Sequence, residues 1–114
     1  MNKKRVAIVQ DCPELIGPLE EALESFGYET ISLRGDEPLA VTVEKIRAFE
    51  PCAMFLDHDL ETYSGKDVAQ ALGSQRIKLI GTYESQQYVD AGFGLSHRKY
   101  RLAERYELLQ LLKE

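Results

Sequence analysis

Two short apolar runs, Val6 to Val9 and Cys52 to Leu56, are unbroken by any polar side chain, and both stop at acidic turns, Gln10-Asp11 and Asp57. A strand with one wet face alternates polar and apolar residues, so an unalternating run reads as a strand covered on both sides, as in a parallel sheet. Such covering needs helices, and the intervening sequence supplies them. Pro13 and Glu14 open a helix in which Leu15, Ile16, Leu19, Leu23 and Phe26 keep helical spacing until Gly27. Tyr28 to Leu33 alternates, as a more exposed strand does. Gly35 and Asp36 then turn the chain, and Leu39, Val43, Ile46 and Phe49 form a second helical stripe stopped by Pro51. Beyond Asp57 a short loop leads to a third helix carrying Val68 and Leu72 and closed near Gly73. Ile77 to Ile80 predicts a fourth strand ended by Gly81 and Thr82, and Phe93 to Ser96 a brief fifth. Glu84 to Asp90 predicts a short helix of about two turns, and Leu102, Tyr106, Leu109 and Leu112 a final amphipathic one.

Five β-α alternations with short connections imply an α/β protein: a doubly wound, five-stranded parallel sheet of order 2-1-3-4-5, flavodoxin-like, with helices on both faces. At 114 residues the chain is read as one domain, 1–114, with no linker or repeat. Fourteen Lys and Arg against nineteen Asp and Glu leave a net charge of -5, which opposes phosphate backbones and anionic lipid, so neither nucleic acid nor membrane is expected as a partner. The apolar stretch after the basic start ends at Gln10, too short for a signal peptide or a membrane span, and a cytoplasmic address is expected. Cys12 and Cys52 form no CxxC pair and are read as reduced core thiols.

In a doubly wound sheet the ligand crevice lies beyond the carboxyl ends of the central strands, which here end at Asp11, Asp57 and Thr82. Two carboxylates brought together repel, and a divalent cation between them relieves that repulsion. Magnesium fits this sparse set, since it keeps several waters and takes one or two carboxylates plus phosphate oxygens. A hydroxyl from Thr82 and an ammonium from Lys99 complete a pocket for a phosphoryl group.

These residues, in this order, resemble a response-regulator receiver domain from end to end. Val-Ala-Ile-Val-Gln-Asp-Cys-Pro resembles its first strand and acidic turn, and Phe-Leu-Asp57 with Gly65 eight residues on resembles its phosphoacceptor strand and loop. Thr82 after Leu-Ile-Gly resembles its fourth-strand hydroxyl, and Gly92 seven residues before Lys99 matches the approach to its lysine. The resemblance implies phosphorylation of Asp57 by a histidine kinase or phosphotransfer protein. It also implies magnesium held by Asp11, Asp57 and the backbone carbonyl of Asp59, with Gln10 acting through a water. Thr82 and Lys99 would bind the phosphoryl oxygens. A stand-alone receiver of this kind is no enzyme beyond slow autodephosphorylation; it signals through a downstream protein, as a monomer or weak homodimer.

The chain departs from that pattern at several points. Gln10 occupies the first of two places usually acidic, which removes a charge and should weaken magnesium binding. Tyr83 stands where a small residue is usual, Ser96 where a switching aromatic is usual, and Tyr100 where a proline is usual. Thr82 and Lys99 are 17 positions apart, which predicts a shortened fourth helix. Gln10, Tyr83 and Ser96 favour an alternative, a pseudo-receiver that binds partners without phosphorylation; Asp57, Asp11 and Lys99 favour the switch. A third reading takes Asp57-His58-Asp59 as the paired aspartates of a dehalogenase-like phosphatase, but Glu61 does not suit that motif. Without its companions Asp57 would be no more than a turn cap and Asp11 a helix N-cap. The cluster Arg98, Arg101 and Arg105 is read as pairing with Glu104 and Glu107.

Overall fold

The computed structural model describes residues 4–11, 13–57, 60–73, 77–83 and 95–98, with the backbone alone described at 14, 15, 81–83 and 95–98. In chain order the elements are β1 (Arg5–Val9), α1 (Pro13–Ser25), β2 (Glu29–Leu33), α2 (Leu39–Phe49), β3 (Ala53–Asp57), α3 (Gly65–Leu72), β4 (Lys78–Tyr83) and β5 (Leu95–Arg98). All strand pairings are parallel, in the order β2-β1-β3-β4-β5. The doubly wound order expected from the alternation is the order observed.

Strand periodicity explains why the two unalternating runs occupy the centre. Val6, Ile8, Ala53, Phe55 and Ile80 share one face of the sheet and pack with Leu19, Ala22 and Leu23 of α1. Ala7, Val9, Met54 and Leu56 share the other face and pack with Val43 and Ile46 of α2 and Val68 and Leu72 of α3. Both faces of β1 and β3 are therefore dry over Val6–Val9 and Ala53–Leu56, and polar residues stand only at the ends of these strands, Arg5 at the start of β1 and Asp57 at the end of β3. β2, at the edge, is half-buried over most of its length, which is why its sequence alternates.

The helices end as their sequences dictate. Ile16, Leu19 and Leu23 form the inward stripe of α1, continued by Phe26 just past its end, while Gly17 and Pro18 lie on its exposed side. α2 closes on Glu50, whose backbone is left-handed at φ 53°, and Pro51 prevents continuation. α3 opens with a capping box in which the Ser64 hydroxyl accepts from the Asp67 N–H at 3.1 Å and the Ser64 N–H donates to the Asp67 carboxylate at 3.0 Å.

Three expectations are corrected. β4 does not stop at Ile80 but continues through Tyr83, because Gly81 pairs within the ladder between Leu56 and Ser96 instead of breaking it. β5 does not stop at Ser96 but runs on to Arg98, in register with β4 through Tyr83↔Arg98, while Phe93 and Gly94 fall outside the described residues. Cys52 is exposed rather than a core thiol. It precedes β3 at the amino end of the sheet, where its N–H donates to the Arg5 carbonyl at 2.8 Å. The fourth and final helices, Cys12, and the arginines at 101 and 105 fall outside the described residues. Among the described residues no helix is long and apolar enough to cross a membrane.

Candidate functional site

The ladder registers bring the sequence-predicted residues to one end of the sheet. β1 and β3 pair at Val6↔Ala53, Ile8↔Phe55 and Val9↔Leu56, so the next rung sets Gln10 beside Asp57. Gln10 continues the β1–β2 ladder by donating its N–H to the Leu33 carbonyl at 3.0 Å. On the other side of Asp57, Thr82 is its partner in β4, and Thr82 in turn pairs with His97 in β5. Thr82 therefore lies inside its strand, level with Asp57, rather than just past the strand end. Asp11 follows Gln10 at the carboxyl end of β1. Asp59, His58 and Lys99 lie outside the described residues.

Burial separates the polar groups of this rung. Gln10 is 0% and Asp57 2% exposed, whereas Asp11 is partly exposed. A carboxylate so deep is stabilised only by opposite charge or by hydrogen bonds, because desolvation disfavours its ionised form. The donor set formed by Asp57, Asp11 and the Gln10 amide consists of hard oxygens, with two carboxylates and room in the coordination count for water. That chemistry suits magnesium and not a soft metal. Among the described residues no three His, Cys, Asp or Glu side chains gather into a cluster.

The loop after Asp57 is closed tightly at its neck. A methyl group built on Gly65 would stand 2.2 Å from the Asp57 carbonyl oxygen and 3.0 Å from its carbonyl carbon. No side chain fits there, so the glycine lets the start of α3 touch the backbone of Asp57. Farther along, the Thr62 hydroxyl donates to the Gly35 carbonyl at 3.0 Å, and Gly35, at φ 75°, is packed against Leu60. Tyr63 and Thr42 share a hydrogen bond between their hydroxyls. Of these residues the sequence singled out Gly35, as a turn, and Gly65; Thr42, Thr62 and Tyr63 were missed. The signal that would have found Thr42 is a hydroxyl on the apolar stripe of α2, between Leu39 and Ile46.

No protein-family model matches the chain, and no curated protein matches it in sequence. Solved structures do. The receiver domain of a sensor histidine kinase from Pseudomonas aeruginosa PAO1, described with a magnesium ion coordinated in its active-site cleft, superposes with a TM-score of 0.82 at 20% identity, over 98% of this chain and 96% of that one. A CheY-like response regulator receiver domain from Methanospirillum hungatei gives a TM-score of 0.78 at 22% identity, over 98% of this chain and 92% of that chain. Another from Methylobacillus flagellatus gives 0.75 at 17% identity, over 96% and 98% respectively. The chain has the receiver-domain fold.

Proposed function

We propose that this chain is a receiver module of a two-component phosphorelay that takes a phosphoryl group on Asp57 and signals through protein contact. One observation carries the reading: a carboxylate 2% exposed at the carboxyl end of the central strand, level in the ladder with Gln10 on one side and Thr82 on the other. The likeness to receiver domains over nearly their whole length supports it, and supports treating residues 1–114 as one such domain.

In this reading an Asp57 oxygen attacks the phosphorus of a phosphohistidine on a kinase or phosphotransfer protein. The P–N bond breaks, its electron pair returns to the imidazole, and the ring nitrogen takes a proton from water. Asp11, Asp57 and the Asp59 backbone carbonyl would hold magnesium, with Gln10 engaged through a water. When bound, the ion neutralises charge developing on the phosphoryl oxygens. Thr82, level with Asp57, and Lys99 would receive those oxygens. The buried site slows attack by water, so hydrolysis of the phosphoaspartate is slow and the protein works as a switch rather than as an enzyme. The added charge biases a surface read by a downstream protein, in the cytoplasm, with the module a monomer or weak homodimer.

The full burial of Gln10 favours a second reading, a pseudo-receiver that binds partners without phosphate, because a neutral amide there removes charge from the metal site. Incubation with magnesium and acetyl phosphate, followed by intact mass, separates the two. A phosphate-sized gain that disappears in Asp57→Asn supports the switch. Absence of any gain, together with no magnesium-dependent spectral change, leaves the pseudo-receiver.

A further inference from the structure

Thr42 is an anomaly in its helix. It sits on the inward stripe of α2 among Leu39, Val43 and Ile46, and it is 1% exposed, where a valine of the same shape would satisfy the core. A hydroxyl at such a place is disfavoured unless it is bonded. Its partner is the Tyr63 hydroxyl, 21 positions away, in the loop that follows Asp57. Tyr63 itself is half-buried against the same cluster, as is Leu60.

This bond is one of three ties that fasten the loop after β3 to the β2–α2 unit. The loop leaving β3 is pinned at its neck by Gly65 against the Asp57 backbone and at its exit by the Ser64–Asp67 capping box. Its outer limb is pinned to the β2–α2 segment twice more, by Thr62 on the Gly35 carbonyl and by Leu60 packed on Gly35. The tyrosine hydroxyl adds the tie that reaches deepest, into the core of α2. These fixed points flank the short connection from Asp57 to Leu60, which starts at the candidate site.

We infer that Thr42 and Tyr63 are positioning residues for the Asp57 site: their hydrogen bond holds the loop in the shape that receives the metal and the phosphoryl group. The inference rests on the phosphoacceptor reading and extends it to residues that touch neither ligand. Outer partners of a metal site fix the orientation of its ligands, and their loss commonly weakens binding by roughly 10–100-fold.

The test uses the full chain and four variants, Thr42→Val, Tyr63→Phe, their combination and Thr42→Ser. Each is titrated with magnesium by isotope-edited NMR, melted without metal, and assayed for acetyl-phosphate incorporation. Tyr63→Phe strands the buried Thr42 hydroxyl and Thr42→Val leaves the half-buried Tyr63 hydroxyl without this partner, so either should lower thermal stability. The double variant removes both hydroxyls together, so stability should return toward wild type. Magnesium affinity in the double variant should nevertheless stay roughly tenfold weaker, because the tie is gone. Thr42→Ser keeps the hydroxyl and should retain wild-type affinity. If magnesium affinity follows stability across the set, or stays at the wild-type value in the double variant, the pair is structural and the inference fails while the phosphoacceptor reading stands. A wild-type protein that neither binds magnesium nor gains phosphate overturns the reading and the inference with it.

Discussion

Replacing Gly65 by alanine tests whether the neck of the loop after Asp57, the proposed acceptor, is as tight as its geometry requires. The new methyl group would lie 2.2 Å from the Asp57 carbonyl oxygen and 3.1 Å from the Leu56 Cγ. The first contact is roughly 1 Å shorter than a carbon and an oxygen tolerate, and the neighbour is backbone in the middle of the sheet, so no rotamer change relieves it. Overpacking of this kind costs about 1–3 kcal/mol, and a rigid neighbour places Gly65→Ala at the upper end. For a domain of this size that is a fall in melting temperature of roughly 8–12 °C. The displaced backbone belongs to Asp57, the proposed acceptor, and a shift of about 1 Å at a reacting group lowers its rate by roughly a hundredfold. Gly17→Ala supplies the control, since nothing lies within 4 Å of its added methyl and it sits on the exposed side of α1. It should stabilise by about 0.5–1 kcal/mol through helix propensity and leave phosphorylation unchanged. Urea unfolding gives the stabilities and acetyl-phosphate incorporation the rates. A Gly65→Ala protein within about 0.5 kcal/mol of wild type, or one destabilised as expected yet phosphorylated at the wild-type rate, refutes the claim that this contact sets the acceptor's position.

Gln10→Asp places a second carboxylate in a fully buried position beside Asp57. It should destabilise the metal-free protein by about 1–3 kcal/mol and tighten magnesium by roughly tenfold, so that melts with and without magnesium diverge more than in wild type; equal divergence would show that position 10 does not face the ion. Ser64→Ala removes the acceptor of the Asp67 N–H in the capping box, and about 1 kcal/mol of stability should go with it in chemical denaturation.

What was legible in the sequence followed from burial on both faces. Val6–Val9 and Cys52–Leu56 could be read as central strands because neither admits a polar residue, and their order fixed where Asp57 would stand. The ends of strands were harder, for a physical reason. Gly81 reads as a stop when taken alone, but in the ladder it is an ordinary rung between two neighbours, and β4 runs past it to Tyr83. Cys52 misled in the opposite direction: its neighbours are apolar, yet it sits where the chain enters the sheet, before the helices cover it. The hydrogen bond between Thr42 and Tyr63 left no periodic trace, because a threonine replaces a valine in a helical stripe without disturbing the pattern that reveals the helix.

The topology gives these ties a direction. α1 packs on one face of the sheet and α2 and α3 on the other. The chain therefore leaves β1 toward one layer and leaves β3 toward the opposite one, and in a doubly wound sheet such a change of direction marks where a ligand crevice forms, here at the ends carrying Gln10-Asp11 and Asp57. The ties found at Thr62–Gly35 and Tyr63–Thr42 join the loop after β3 to the β2–α2 loop and to α2 itself, all on the side of the layer of α2 and α3. Asp57 is in this sense braced by the second layer, while Gln10 and Asp11 lead directly into α1. A cation shared by Asp11 and Asp57 would bridge the two layers across the crevice, and its affinity would depend on how firmly each wall is held. The wall carrying Asp57 owes part of its firmness to α2, so substitutions on the buried stripe of that helix should reach the site without touching it.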